Sequence, residues 1–250
     1  MTAYKVRAER WRVRRERWTL AKTTLKALAA EFIGTFCFFF IGAGAVVADA
    51  FMVSRSSTGL GLVGIALANG LALAALITAL GGFSGAHFNP AVTVAALIGR
   101  QVTAAQAGLY ILTQLLAAVL AGFALRAVFP TAIWKSVNLG TPAVVEGISF
   151  GAAVLLEAIL AFILVIVIFG AALDAPAGKA GGFAIGLTVA AAILMGGALT
   201  GAAMNPARTF GPAVAANFWE NHLVYWIGPL SGAIVAGLIY SRFFMAPRTD

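Results

Sequence analysis

The chain has 250 residues, 61% of them apolar and only 10% charged. Soluble domains carry roughly 45–50% apolar and about 25% charged residues, so this chain cannot cover itself with a water-compatible surface. The formal net charge of +8 is concentrated near the N-terminus, which leaves a nucleic-acid reading without other support. The single Cys37 excludes an internal disulfide framework and a cysteine metal site.

Residues 1–26 form a basic segment holding Lys5, Arg7, Arg10, Arg12, Arg14, Arg15, Arg17, Lys22 and Lys26. Trp11 and Trp18 stand two helical turns apart, on one helical face. That pattern fits a helix lying on an anionic inner leaflet, or a solvated basic tail that enforces topology. It is too long and basic for a signal peptide.

Six apolar segments follow, over 27–48, 59–80, 104–128, 147–171, 181–199 and 222–244. Each reaches the roughly 20 residues that a membrane helix needs. All are rich in small residues, which let helices approach closely in lipid. Two shorter apolar stretches, 89–98 and 205–216, each begin with Asn-Pro-Ala. They are too short to cross a bilayer and read as re-entrant half-helices. Asn is a favoured N-cap, and Pro suits the first turn because its missing N–H has no helical partner there.

Ser84-Gly85-Ala86-His87-Phe88-Asn89-Pro90-Ala91 nearly recurs as Thr200-Gly201-Ala202-Ala203-Met204-Asn205-Pro206-Ala207. A long segment carrying Glu31 precedes the first copy, and one carrying Glu157 precedes the second. Thr93 and Thr209 each follow the motif Asn by four residues. With three spans per half, the second half enters from the opposite side, so the repeats, about 27–128 and 147–244, are inverted. Inverted repeats commonly place a pathway at the midplane between interrupted helices.

The nine basic residues before the first span, with Arg100, Lys179, Arg242 and Arg248, fall on one side of the membrane. Only Arg55, Arg126 and Lys135 fall on the other. The positive-inside rule places both termini, including a short tail at 245–250, in the cytoplasm. Arg208 belongs to neither group. It follows the second Asn-Pro-Ala inside the membrane zone, where a charged residue is a functional candidate by default.

These motifs resemble the aquaporins, the major intrinsic protein family, over about residues 25–244. The carriers are Glu31, the run from Ser84 to Thr93, Glu157, and the run from Gly201 to Pro212. The resemblance implies an all-α membrane protein: six transmembrane helices in a right-handed bundle, plus two re-entrant half-helices in an inverted repeat, assembled as a homotetramer. It implies a pore centre at Asn89, Pro90, Ala91, Asn205, Pro206 and Ala207. Gly85, Ala86, His87, Gly201 and Ala203 would line the pore with carbonyls, and Glu31 and Glu157 would brace those loops. The oxygens of Asn89 and Asn205 would cap the half-helices while their NH2 donors point into the lumen.

By spacing from the motifs, the family's outer constriction falls on Asn69, Ile193, Ala202 and Arg208. Strict water channels usually have Phe and His at the first two places, and glycerol channels usually have an aromatic followed by Gly. This chain has neither set. Ile193, Ala202 and Arg208 resemble the plant vacuolar branch, which usually has His where Asn69 stands. Asn69 could donate and accept there, or serve only as an interhelical bond. Thr209, Ala213 and Tyr225-Trp226 resemble the water branch.

The implied function is a passive channel for water and small neutral solutes such as hydrogen peroxide, ammonia or urea, closed to ions and protons. A glycerol or general neutral-solute facilitator and a secondary transporter are the alternatives. A non-conducting scaffold fits poorly with two intact asparagines and Arg208. Enzyme chemistry lacks a nucleophile–base–acid set, and no metal or cofactor is expected. His87 invites a pH-gating reading against a structural role through its backbone carbonyl, and His222 is expected at the external rim. A short chain without eukaryotic targeting features fits a bacterial inner membrane.

Overall fold

The structure is a computed structural model. It describes residues 2–56, 58–173 and 180–245, with side chains from Thr24 onward except Leu173. The tail beyond Met245, Lys179, and the side chains of the basic segment before Thr24 lie outside the described residues.

The helices are α1 (Thr2–Ser54), α2 (Gly61–Ser84), α3 (Pro90–Ile98), α4 (Ala104–Val128), α5 (Thr131–Ser136), α6 (Phe150–Ile168), α7 (Ala180–Thr200), α8 (Pro206–Ala216) and α9 (Val224–Phe243). A π-helical turn, Phe169–Leu173, extends α6. Six are long and apolar enough to cross a membrane: α1 from Thr24, α2, α4, α6 with its π turn, α7 and α9. The six expected spans are all present, within a few residues. The backbone of the basic segment continues α1 without a break, because no Gly or Pro interrupts the sequence between Thr2 and Ile33. The short α5 was not legible in the sequence.

The two half-helices start as the motifs predict. Asn89 and Asn205 are N-caps in extended conformation, each followed by Pro at the first helical position. Asn89 Oδ1 accepts from Ala91 N at 2.8 Å, and Asn205 Oδ1 accepts from Ala207 N at 3.0 Å. These bonds satisfy amides that a helix start would otherwise leave unpaired.

Small residues set the helix spacing. The face of α4 carrying Leu112, Leu116, Leu120 and Phe123 is exposed, whereas Ala117, Ala118 and Ala121 are buried. A methyl group at Gly211 would overlap the Ala118 carbonyl, so α8 packs directly on the α4 backbone. A methyl at Gly232 would likewise overlap the Ala158 carbonyl where α9 meets α6. Gly232→Ala is therefore expected to destabilise the fold by about 1–3 kcal/mol, the usual range for overpacking. The check is the thermal unfolding midpoint of the purified protein in detergent. It should fall by about 2–12 °C, and an unchanged midpoint would refute this account of the interface.

Candidate functional site

The two repeated loops are held by matching sets of hydrogen bonds. In the first half, Glu31 Oε1 accepts from Ser84 Oγ at 2.7 Å and His87 N at 2.9 Å, and Oε2 accepts from Phe88 N at 2.8 Å. In the second, Glu157 Oε1 accepts from Thr200 Oγ1 at 2.7 Å and Ala203 N at 2.9 Å, and Oε2 accepts from Met204 N at 2.7 Å. Both carboxyl side chains are fully buried. An isolated carboxylate at this depth would be very unfavourable, and charge-assisted bonds to fixed donors offset that penalty. The bracing role implied for Glu31 and Glu157 thus has direct geometric partners.

The braces hold an unusual backbone. Gly85, Ala86 and Phe88 have φ of 85°, 51° and 47°, and Gly201, Ala202 and Met204 have 82°, 46° and 53°. Left-handed alanine, phenylalanine and methionine are uncommon, and each such residue costs roughly 1–3 kcal/mol unless its surroundings enforce it. Two tyrosines tie the loop starts. Tyr110 Oη donates to Ser84 O at 3.0 Å, and Tyr225 Oη donates to Thr200 O at 2.8 Å. Sequence reading missed Tyr110 and placed Tyr225 only by resemblance. Their near-equal spacing after the two motifs is the signal that could have paired them.

These ties leave the carbonyls of Gly85, Ala86, His87, Gly201, Ala202 and Ala203 without a donor among the described residues. All six residues line one cavity of about 280 Å³. Asn89, Asn205, Asn69, Ile193 and Arg208 line it too. Every residue expected at the constriction and at the carbonyl loops is therefore on one lumen. Pro90, Ala91, Pro206 and Ala207 are buried behind it, as the first turns of α3 and α8.

The asparagine donors differ from expectation. Asn89 Nδ2 donates to Met204 O at 2.9 Å, and Asn205 Nδ2 donates to Phe88 O at 3.0 Å. Each motif clasps the loop of the other repeat. An amide nitrogen has two N–H groups, so one from each asparagine remains for the lumen. The reason is proximity: the two loops meet tip to tip, within reach of each other's carbonyls.

Asn69 Nδ2 donates to Ile65 O at 2.8 Å and Gly42 O at 3.4 Å, so both N–H groups have backbone acceptors. The bond to Gly42 O is the interhelical one given as the alternative to a donor–acceptor role, and Oδ1 packs against Gly42, where an added Cβ would meet it. Arg208 Nη1 donates to Gly140 O at 2.9 Å. Gly140 ends a left-handed turn, Asn138–Gly140, with φ of 46°, 56° and 69°. A side chain at Gly140 would press on the Ala43 backbone. This turn also went unseen in the sequence.

His87 Nδ1 lies 3.1 Å from Thr93 Oγ1. That hydroxyl donates to Asn89 O at 3.0 Å and accepts from Gln114 Nε2 at 3.0 Å. Its one proton is committed, so Nδ1 carries the hydrogen and Nε2 is the free acceptor of the ring. Gln114 Nε2 also donates to Glu31 Oε2 at 2.8 Å, a brace with no counterpart in the second half. His222 stands outside the spans and accepts from Trp226 Nε1 at 3.0 Å, among Phe210, Trp219 and Trp226. Burial holds its imidazole below the usual range. Among the described residues, no group of His, Cys, Asp or Glu could hold a metal ion.

Two inverted half-helices meeting at a lumen inside a six-span bundle define a multi-pass membrane channel. Residues 18–240 match the family described as Major intrinsic protein. A probable aquaporin TIP-type from Medicago truncatula is 42% identical over 237 residues, covering 91% of this chain and 92% of that protein. Aquaporin TIP4-3 from Zea mays is 41% identical, covering 88% of each. The X-ray structure of the aquaglyceroporin from Plasmodium falciparum superposes with a TM-score of 0.76 over 88% of this chain and 96% of that one. At 22% identity it speaks for the fold alone. The chain belongs to the major intrinsic protein family, whose members are channels for water or small solutes and not enzymes. These two relatives are plant proteins, so the bacterial inner membrane expected from the sequence has no support from them.

Proposed function

We propose that the channel conducts water and small neutral solutes, hydrogen peroxide, ammonia and urea among them, and excludes ions and protons. The observation that carries this reading is the cavity lined by Asn69, Ile193, Ala202 and Arg208 together with Asn89 and Asn205. The N-termini of α3 and α8 face each other there, each equivalent to roughly half a positive elementary charge, which disfavours cations. A water at the centre accepts from the free N–H groups of Asn89 and Asn205, so its own hydrogens point outward along the lumen. That orientation breaks the donor chain a hopping proton needs. The six free carbonyls give a desolvated molecule successive acceptors along the path.

At the outer constriction the Arg208 guanidinium supplies donors, the Gly201 and Ala202 carbonyls supply acceptors, and Asn69, Ile193 and Ala202 complete a small, largely apolar wall. A compact molecule that both donates and accepts fits that set better than the longer glycerol. We include in the proposal cytoplasmic termini, from the basic-residue asymmetry, and a homotetramer, from the family resemblance.

The test is stopped-flow light scattering on proteoliposomes. Under an impermeant osmolyte, vesicles carrying the protein should shrink several-fold faster than empty ones. Urea should enter faster than glycerol. Shrinkage at the empty-vesicle rate would remove the water reading, and equal urea and glycerol rates would remove the solute ranking.

A further inference from the structure

Arg208 has two supports, and one residue touches the first and the aromatic anchor of the second. The first support is α8 itself, which carries Arg208 in its first turn and ends at Ala216. The second is the turn ending at Gly140, whose carbonyl accepts from Arg208 Nη1 at 2.9 Å. Arg126, near the end of α4, donates from Nη1 to Ala215 O at 2.7 Å, in the last turn of α8. The same guanidinium lies 4.8 Å from the ring centre of Trp134 and 5.7 Å from that of Phe123. Trp134, on α5, packs in one apolar cluster with Leu139, Ala43, Val47, Leu125 and Ala215. Leu139 is fully buried and immediately precedes Gly140.

We propose that Arg126, which is not part of the lumen lining, is a positioning residue for Arg208: it ties the far end of α8 and the Trp134–Leu139 anchor of the Gly140 turn to one guanidinium. The proposal rests on the reading that Arg208 forms part of the constriction. Two physical features support it. A cation at a helix C-terminus is favoured by the macrodipole and satisfies a carbonyl that would otherwise lack an intrahelical partner. A guanidinium over an aromatic face gains further attraction while its planar donors stay aimed.

Loosening the clamp lets Arg208 sample positions away from the Gly140 carbonyl and widens the constriction on average. Larger solutes gain more from that than water does. The experiment compares Arg126→Leu, Arg126→Lys and Arg208→Val with the unmodified protein in proteoliposomes, measuring water and urea permeability at matched protein incorporation. Leucine suits the exposed Arg126 position in an apolar surrounding, and lysine can reach both the Ala215 carbonyl and the Trp134 face. Arg126→Leu should raise the urea-to-water permeability ratio about threefold, a difference in relative barrier rather than in amount of protein. Arg126→Lys should restore most of the original ratio. If Arg208→Val shifts the ratio but Arg126→Leu does not, the positioning role is wrong and the constriction reading stands. A fall in both permeabilities in equal proportion in Arg126→Leu also overturns it, since a purely structural role predicts that result. If Arg208→Val leaves the ratio unchanged, the constriction reading fails and the proposal falls with it.

Discussion

Glu157→Ala is expected to abolish osmotic flux. The substitution removes the acceptor for Thr200 Oγ1, Ala203 N and Met204 N, three donors bonded at 2.7–2.9 Å inside the protein. A buried donor left unpaired costs roughly 1–3 kcal/mol. The loop it holds includes left-handed Ala202 and Met204, a conformation the brace enforces. The combined loss reaches several kcal/mol, a large fraction of a typical folding stability of about 5–15 kcal/mol. The loop should therefore leave its conformation, and Ala202 and Asn205 would leave the lumen with it. Glu157→Gln should be milder but still impaired, because its Nε2 would face the Met204 N–H, donor against donor. The measurement is water permeability per incorporated protein, with thermal unfolding as a second readout. Flux at the unmodified level in Glu157→Ala would show that the second brace is dispensable.

The double substitution Asn69→Phe with Ile193→His should lower urea permeability by about tenfold, equivalent to about 1.4 kcal/mol of added barrier, and water permeability by much less. Both residues line the lumen, and neither is an aromatic or a cation in this chain. Phenylalanine would replace the Asn69 amide with a larger apolar face. Histidine would put a polar ring where Ile193 now presents a branched apolar wall. The opening narrows, and a planar solute of four heavy atoms meets more obstruction than a water. Water and urea falling by the same factor would show that these positions do not discriminate between solutes. Asn69→Phe alone also removes bonds to Ile65 O and Gly42 O, so incorporation must be matched before rates are compared.

Much of the site was legible in the sequence because its chemistry is local. An Asn caps the amides one or two residues ahead of it, and Pro follows it for a reason internal to the first turn. The repeat then showed that the pattern occurs twice, and an odd number of spans between the copies implied inversion. Glu31 and Glu157 could be named because they precede the two motifs at matching places in the repeats, and the family resemblance implies that they brace the loops. What stayed hidden were the partners supplied by distant segments. Gln114 reaches Glu31 across 83 positions, and Asn205 reaches Phe88 across 117. Nothing in the local sequence of α4 marks Gln114 as a brace.

The sequence by itself determined the class of protein, the six spans and the two half-helices, and through the family resemblance it pointed to candidate residues along the lumen. Hydropathy, capping and spacing act over one or two helical turns, so they can be read along the chain. Only the tertiary structure decided which polar atoms remain free in that lumen. It directed both N–H groups of Asn69 to backbone carbonyls, turned one donor of each motif asparagine toward the opposite loop, and brought Gly140 to Arg208. Those outcomes depend on which carbonyl lies within about 3 Å of which donor. That distance is set by packed helices meeting across the bundle, and no stretch of sequence contains both partners.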